Sequence, residues 1–189
     1  MKANDDRVAV FVYGALLCHP RTRAEGVIAS VADHSVAFTV RGITRFEPSF
    51  ASLDPAPGRR AWGALVHYTP AEWARIRRDE LSYRVITVEA VTAEGGMVAA
   101  QAFSVLETHR ARGCGPSARY AGLLRQGAQG LGLPPEVVAQ YAALERGGSR
   151  LSSYALPWLK PLLMPLVRRV HARLRPRPAT RTPAPGKSG

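Results

Sequence analysis

The chain has 189 residues, 46% of them hydrophobic, which is enough for one buried core with chain left over. Its 26 Lys and Arg against 14 Asp and Glu give a formal net charge of +12, an excess that draws anions without choosing among nucleic acid, lipid and a small carboxylate. Two cysteines, Cys18 and Cys114, exclude a disulfide framework and a paired-cysteine metal site, and they fit a reducing, cytoplasmic location.

Residues 8–13 are continuously apolar, β-branched and aromatic, and they stop at Gly14. That pattern predicts a buried strand running into a turn, and the run is too short for the apolar core of a signal peptide. Residues 35–41, with Val36, Phe38 and Val40 alternating, predict a second strand; residues 61–68, with Trp62, Ala64, Val66 and Tyr68 on one face, predict a third. Between these two, residues 46–60 carry Pro48, Pro55, Pro57 and Gly58 and are expected to form a loop wrapping the sheet.

Thr69-Pro70-Ala71-Glu72 reads as a capping box with proline at the first helical position, so a short helix is predicted to about residue 78, with Trp73 and Ile76 facing the core. Residues 83–93 and 97–105 are strand-like runs on either side of Glu94-Gly95-Gly96, a hairpin pattern. Ser117 then caps a helix in which Tyr120, Leu123, Leu124, Ala128 and Leu131 recur at helical spacing, and Gly132 with Pro134-Pro135 ends it. A second helix, residues 136 to about 146, places Val137, Val138, Tyr141 and Leu144 on one side. Strands first and helices after them argue for an α+β domain at residues 1–149, with a mostly antiparallel sheet packed by helices.

From residue 150 to 189 the composition changes, with prolines multiplying and Asp and Glu absent. Trp158, Leu159, Leu162, Leu163 and Leu166 make an apolar stripe beside Arg168, Arg169 and Arg173, and the segment is expected to be amphipathic to 175 and disordered from 176. Pro157, Pro161 and Pro165 interrupt both this helix and any bilayer span. Peripheral contact with an anionic membrane surface is the partner such a segment offers; specific nucleic-acid binding is not expected, since no recognition motif accompanies the charge.

Three places carry candidate chemistry. The turn Tyr13-Gly14-Ala15-Leu16 follows a buried strand, and its glycine lets consecutive backbone N–H groups face an anion. Glu80 sits between the predicted helix and the hairpin, where a carboxylate can face a sheet-lined cavity. Tyr120 lies in the first turn of its helix with a hydroxyl to offer a ligand. Taken singly, each has an ordinary reading: a tight turn, a solvated acid at a helix end, a core aromatic.

In order and spacing the three resemble the γ-glutamylcyclotransferase superfamily across most of residues 8–144. The likeness takes in the Tyr-Gly-x-Leu turn, the Pro57-Gly58 step before Ala61-Trp62-Gly63-Ala64-Leu65, the acid-x-x-Tyr entry into Arg84-Val85-Ile86-Thr87-Val88, the Pro116-Ser117-Ala118-Arg119-Tyr120 helix start, and Gly132-Leu133-Pro134. The resemblance implies a small mixed, mostly antiparallel β-barrel flanked by helices. It also implies an enzyme that cuts γ-glutamyl amides into 5-oxoproline and a free amine, in which Glu80 is the catalytic base and Tyr13, Gly14, Ala15, Leu16 and Tyr120 hold the γ-glutamyl group. No metal or organic cofactor is required by that chemistry. Ala15 stands where many relatives carry a small hydroxyl residue, and Leu81 stands where glycine is common, which leaves Asp79 as a substitute carboxylate.

Two other readings use different residues. A cysteine hydrolase would pair Cys18 with His19, or Cys114 with His109, yet adjacent residues rarely aim at each other. A binding module of the same fold would act through the basic extension alone.

Overall fold

The computed structural model describes residues 7–44 and 47–148. The boundary expected near residue 149 and the basic segment 150–189 lie outside the described residues.

Five strands close into a barrel in the order β1-β3-β2-β4-β5: β1 Val8–Val12, β2 Val27–Thr44, β3 Glu47–Tyr68, β4 Tyr83–Thr92 and β5 Met97–Val105. Neighbours are antiparallel except β1 and β5, which meet parallel at Val10 and Gln101, so the sheet is mixed. Among the described residues four α-helices accompany it, α1 Pro20–Glu25, α2 Pro70–Asp79, α3 Ala118–Leu131 and α4 Pro135–Gly147, giving the expected α+β barrel with flanking helices. The barrel closes over residues 29–31 of β2 and 64–68 of β3 while the far part of the β2–β3 hairpin extends beyond it, and the fully buried Ala29, Ala64, Ala90 and Ala102 suit so small a barrel.

The expected loop at residues 46–60 is overturned. Residues 47–68 form one strand, paired with β2 through Glu47 and Thr44, Phe50 and Val40, Leu53 and Val36, and Asp54 and Ser35. Prolines persist there because β1 pairs only with residues 64–68 of β3. Residues 47–60 therefore have a strand partner on one side, and on an open side a missing N–H costs no ladder bond. β2 is likewise longer than the predicted 35–41, since residues 27–32 pair with β3 and residues 29–31 also with β4. The long hairpin shifts register three times, and the first shift falls at Asp33, whose φ is +54° and whose carboxylate accepts the Gly58 N–H at 2.8 Å.

The remaining elements follow their sequence signals. In the α2 capping box Thr69 Oγ1 accepts the Glu72 N–H at 3.3 Å, and the Glu72 carboxylate accepts the Thr69 N–H at 2.8 Å. Trp73 turns inward and donates to Gln101 Oε1. The hairpin runs in register from Tyr83 and Val105 to Val91 and Met97. Ser117 Oγ accepts the Tyr120 N–H at 3.0 Å, capping α3, and donates to Glu47 Oε2 at 2.6 Å, while Arg119 Nε reaches Glu47 Oε1 at 2.6 Å. This pins the start of α3, and with it Tyr120, to the start of β3. Among the described residues no helix is long and apolar enough to cross a membrane.

Candidate active site

Tyr13 leaves β1 in extended conformation, and Gly14 then takes φ +68°, a left-handed value that bends the chain into a 3-10 helix, Gly14–Cys18. The first i→i+3 bond of that helix runs from the Leu16 N–H to the Tyr13 carbonyl, so the N–H groups of Gly14 and Ala15 ahead of it have no partner within the helix. On the opposite side α2 ends at Glu80, whose N–H bonds the Arg77 carbonyl at 3.4 Å and whose carbonyl accepts the Tyr83 N–H at 3.2 Å. That tight turn throws the Glu80 side chain toward the barrel and leaves Asp79 exposed.

Between the two lies a cavity of about 100 Å³. Its walls hold Tyr13, Gly14, Ala15, Leu16, Glu80 and Tyr120, which is every residue the sequence singled out for this chemistry, and also Ala51, Tyr83 and Phe103. Glu80 is the cavity's one ionisable acid, and no hydrogen bond or ion pair from the described residues reaches its carboxylate. Burial pushes its pKa above the ordinary 4.5, and the neighbouring Asp79 charge adds to the rise.

Three phenols surround this acid. Tyr13 donates to the Phe103 carbonyl, Tyr83 donates to the Ala51 carbonyl at 2.9 Å, and Tyr120 accepts the Ala51 N–H at 3.3 Å. Tyr120 keeps its own proton to donate. Burial pushes Tyr120 up to about 12 and raises Tyr13 and Tyr83 further, so all three stay protonated at working pH. Phe50 meets the Tyr120 ring edge-on at 5.1 Å and Phe103 packs between Trp73 and Tyr83, which fixes the aromatic walls.

Ala51 is hidden from sequence reasoning because its segment reads as a loop; Glu47-Pro48-Ser49-Phe50-Ala51 carries no apolar alternation, although residues 47–50 alternate in burial once folded. Tyr83 was visible as part of the acid-x-x-Tyr step but was not given a role. The cysteine pairings do not form. Cys18 Sγ bonds the Leu123 carbonyl at 3.0 Å while His19 Nδ1 accepts the Arg21 N–H, and Cys114 is exposed. Among the described residues no cluster of His, Cys, Asp and Glu is arranged to hold a metal.

Among solved structures the chain is similar to one titled gamma-glutamyl cyclotransferase, 20% identical with a TM-score of 0.63 over 72% of this chain and 87% of that one. It is similar also to the uncharacterized human protein loc79017, 22% identical with a TM-score of 0.63 over 73% of this chain and 88% of that one. YkqA from Bacillus subtilis is 18% identical with a TM-score of 0.61, over 76% of this chain and 56% of that one. No family model matches the chain, and no curated protein matches it in sequence. The likeness is one of architecture: the barrel and its helices form the γ-glutamylcyclotransferase-like fold.

Proposed function

Given a chain with the γ-glutamylcyclotransferase-like fold, we propose that it is an enzyme of that type, releasing 5-oxoproline and a free amine from a small γ-glutamyl amide. The observation that carries the reading is Glu80: a carboxylate on a cavity wall, without a protein partner among the described residues, facing the Tyr-Gly loop and with its pKa raised by burial. A structural acid would be paired or solvated.

The chemistry asks for that group. The α-amine of a γ-glutamyl substrate attacks its own γ-carbonyl, but near neutral pH it is an ammonium ion and not nucleophilic. Glu80, ionised at the start, takes one proton from the ammonium. The amine nitrogen then forms a C–N bond to the γ-carbon, and the carbonyl electrons move onto oxygen. Collapse of this tetrahedral species restores the carbonyl and breaks the original C–N bond as the proton held by Glu80 passes to the departing nitrogen; Glu80 then takes the second proton from the ring nitrogen and hands it to the released amine, which leaves as an ammonium ion. Water is not consumed, and one amide is exchanged for a five-membered lactam.

The surroundings suit each step. The N–H groups of Gly14 and Ala15 and the Tyr120 hydroxyl are donors for the substrate carboxylate and for the oxyanion; a placed donor of the latter kind contributes about 3 to 4 kcal/mol. The narrow aromatic walls favour a coiled substrate with amine and carbonyl already close. Ala15 supplies only its backbone, so binding at that position goes through the main chain.

The test is 5-oxoproline release by the full chain from a panel of γ-glutamyl amides and glutathione. Glu80→Gln keeps the shape and removes the base, and a fall in kcat/KM of about 10² to 10⁴ is expected. A wild type inert on the whole panel, or a Glu80→Gln variant of ordinary rate, would overturn the reading.

A further inference from the structure

Ala51 of β3 touches two of the three phenols of the cavity: its carbonyl accepts from Tyr83 and its N–H donates to Tyr120. The third, Tyr13, donates to the Phe103 carbonyl of β5, two residues before Val105, whose N–H is held by Ser52 Oγ of β3. The hydroxyls that meet substrate in the cyclotransferase reading therefore depend on the path of residues 51–53. The pairing of Ser52 with Ala37 and of Leu53 with Val36 joins that path to β2 but does not by itself fix it against β5.

A polar cluster just behind it does. Asp54, 8% exposed, follows the stretch directly. Its Oδ1 accepts from Ser52 Oγ at 2.5 Å, and its Oδ2 accepts from Thr39 Oγ1 at 2.8 Å and from Arg110 Nη1 at 2.7 Å. Ser52 Oγ in turn accepts the Val105 N–H at 2.9 Å. Four elements are thus tied at one carboxylate: β3, β2, the end of β5 and the segment after it that carries Arg110. The Ala111 N–H bonds the Thr39 carbonyl at 2.7 Å, which fastens that last segment independently.

We propose that Asp54, acting through Ser52 and Arg110, is the positioning residue of this cavity: it holds residues 51–53 where the hydroxyls of Tyr13, Tyr83 and Tyr120 converge. None of the three cluster residues lines the cavity, so their effect on substrate is indirect. Burial acts to raise the Asp54 pKa, yet the Ser52 and Thr39 hydrogen bonds and the Arg110 guanidinium outweigh it and hold the group below its ordinary 3.8. The cluster therefore stays charged and intact across the working range.

The positional claim needs no turnover to be tested; only its effect on substrate rests on the proposed function. The full chain is labelled with 3-fluorotyrosine and the fluorine NMR lines are assigned by single Tyr→Phe changes. In Asp54→Asn the lines of Tyr13, Tyr83 and Tyr120 are expected to shift. Tyr68, held under the Arg21 guanidinium at 4.9 Å on another part of the barrel, is expected to stay. If the three lines do not move, or if Tyr68 moves with them, the inference is overturned.

The kinetic arm uses the best γ-glutamyl amide of the panel. Asp54→Asn is expected to raise KM about tenfold, the effect of weakening one or two placed hydrogen bonds, while Arg110→Lys, which keeps a cation on Asp54, stays within about twofold of wild type and Arg110→Gln does not. A role confined to stability would lower the active fraction, and so kcat, with KM unchanged; that result overturns the inference. An inert wild type overturns the cyclotransferase reading instead, and the fluorine lines then decide the positional claim.

Discussion

Replacing Gly14 by alanine probes the entry loop with a cost that can be worked out beforehand. Gly14 has φ +68°, and an added Cβ would lie 3.3 Å from Ala51 Cβ and 3.3 Å from the Tyr120 hydroxyl. A non-glycine residue in the left-handed region costs about 1 to 2 kcal/mol. Crowding two neighbours that are themselves hydrogen-bonded adds about 1 kcal/mol, at the low end for overpacking. Against this, alanine restricts the unfolded chain and returns about 0.4 to 1 kcal/mol. The net loss expected is about 2 kcal/mol, or a Tm fall of about 4 to 8 °C for a chain of this size. Gly58→Ala separates the contributions, because φ is +73° there and nothing lies within 4 Å of the added carbon. It should lose only the backbone part, about 0.5 to 1 kcal/mol, and leave activity unchanged. Urea unfolding at 25 °C with both variants gives the difference directly, and kcat/KM gives the effect of displacing the Tyr120 hydroxyl. Equal stability losses for the two variants, with Gly14→Ala fully active, would refute the claim that the loop, Ala51 and Tyr120 are in close contact.

Three further outcomes concern Glu80 and α3. Since the ionised form of Glu80 is the base and its folded pKa is raised, kcat/KM should climb with pH through a midpoint above 4.5; a limb at or below 4.5 would show that another group controls the rate. The raised pKa also means that the folded state binds more protons than the unfolded chain between 4.5 and the folded value, so stability falls as pH rises through that window. Glu80→Gln should accordingly melt above wild type at pH 7, with the difference vanishing below pH 4.5, as followed by thermal unfolding at several pH values. Gly127→Ala would set a Cβ 2.6 Å from Leu17 Cβ and 3.1 Å from the Leu17 backbone carbon. The helix-propensity gain of about 1 kcal/mol is smaller than the overpacking cost, so a net loss of about 1 to 2 kcal/mol is expected together with reduced activity, because the Gly14–Cys18 turn must shift.

Signals read from the sequence succeeded where one local rule governs. Thr69, Pro70 and Glu72 announce the start of α2, Ser117 and Gly132 bracket α3, and Gly95 marks the hairpin turn, each through a backbone requirement that neighbouring residues satisfy. Residues 46–60 failed for the converse reason. Whether Pro48, Pro55 and Pro57 break a strand depends on which edge is open, and that is decided by where β1 ends, far off in the chain. The cost of that error fell on the site: Ala51, the peptide between Tyr83 and Tyr120, sat inside the segment read as structureless. Glu80 and the Tyr-Gly loop lie on opposite walls of the cavity, a relation no local pattern encodes, and only the resemblance brought them together beforehand.

The five residues of β1 are wedged between β3 and β5, and the loop they lead into forms one wall of the cavity. Pulling this stave out unzips the ring along two seams at once and carries the donor loop away with it. Weakening mutations at Val8, Ala9 and Val10, which do not line the cavity, should therefore thin the population of working molecules and leave each survivor at full speed, with an unaltered affinity for whatever it binds.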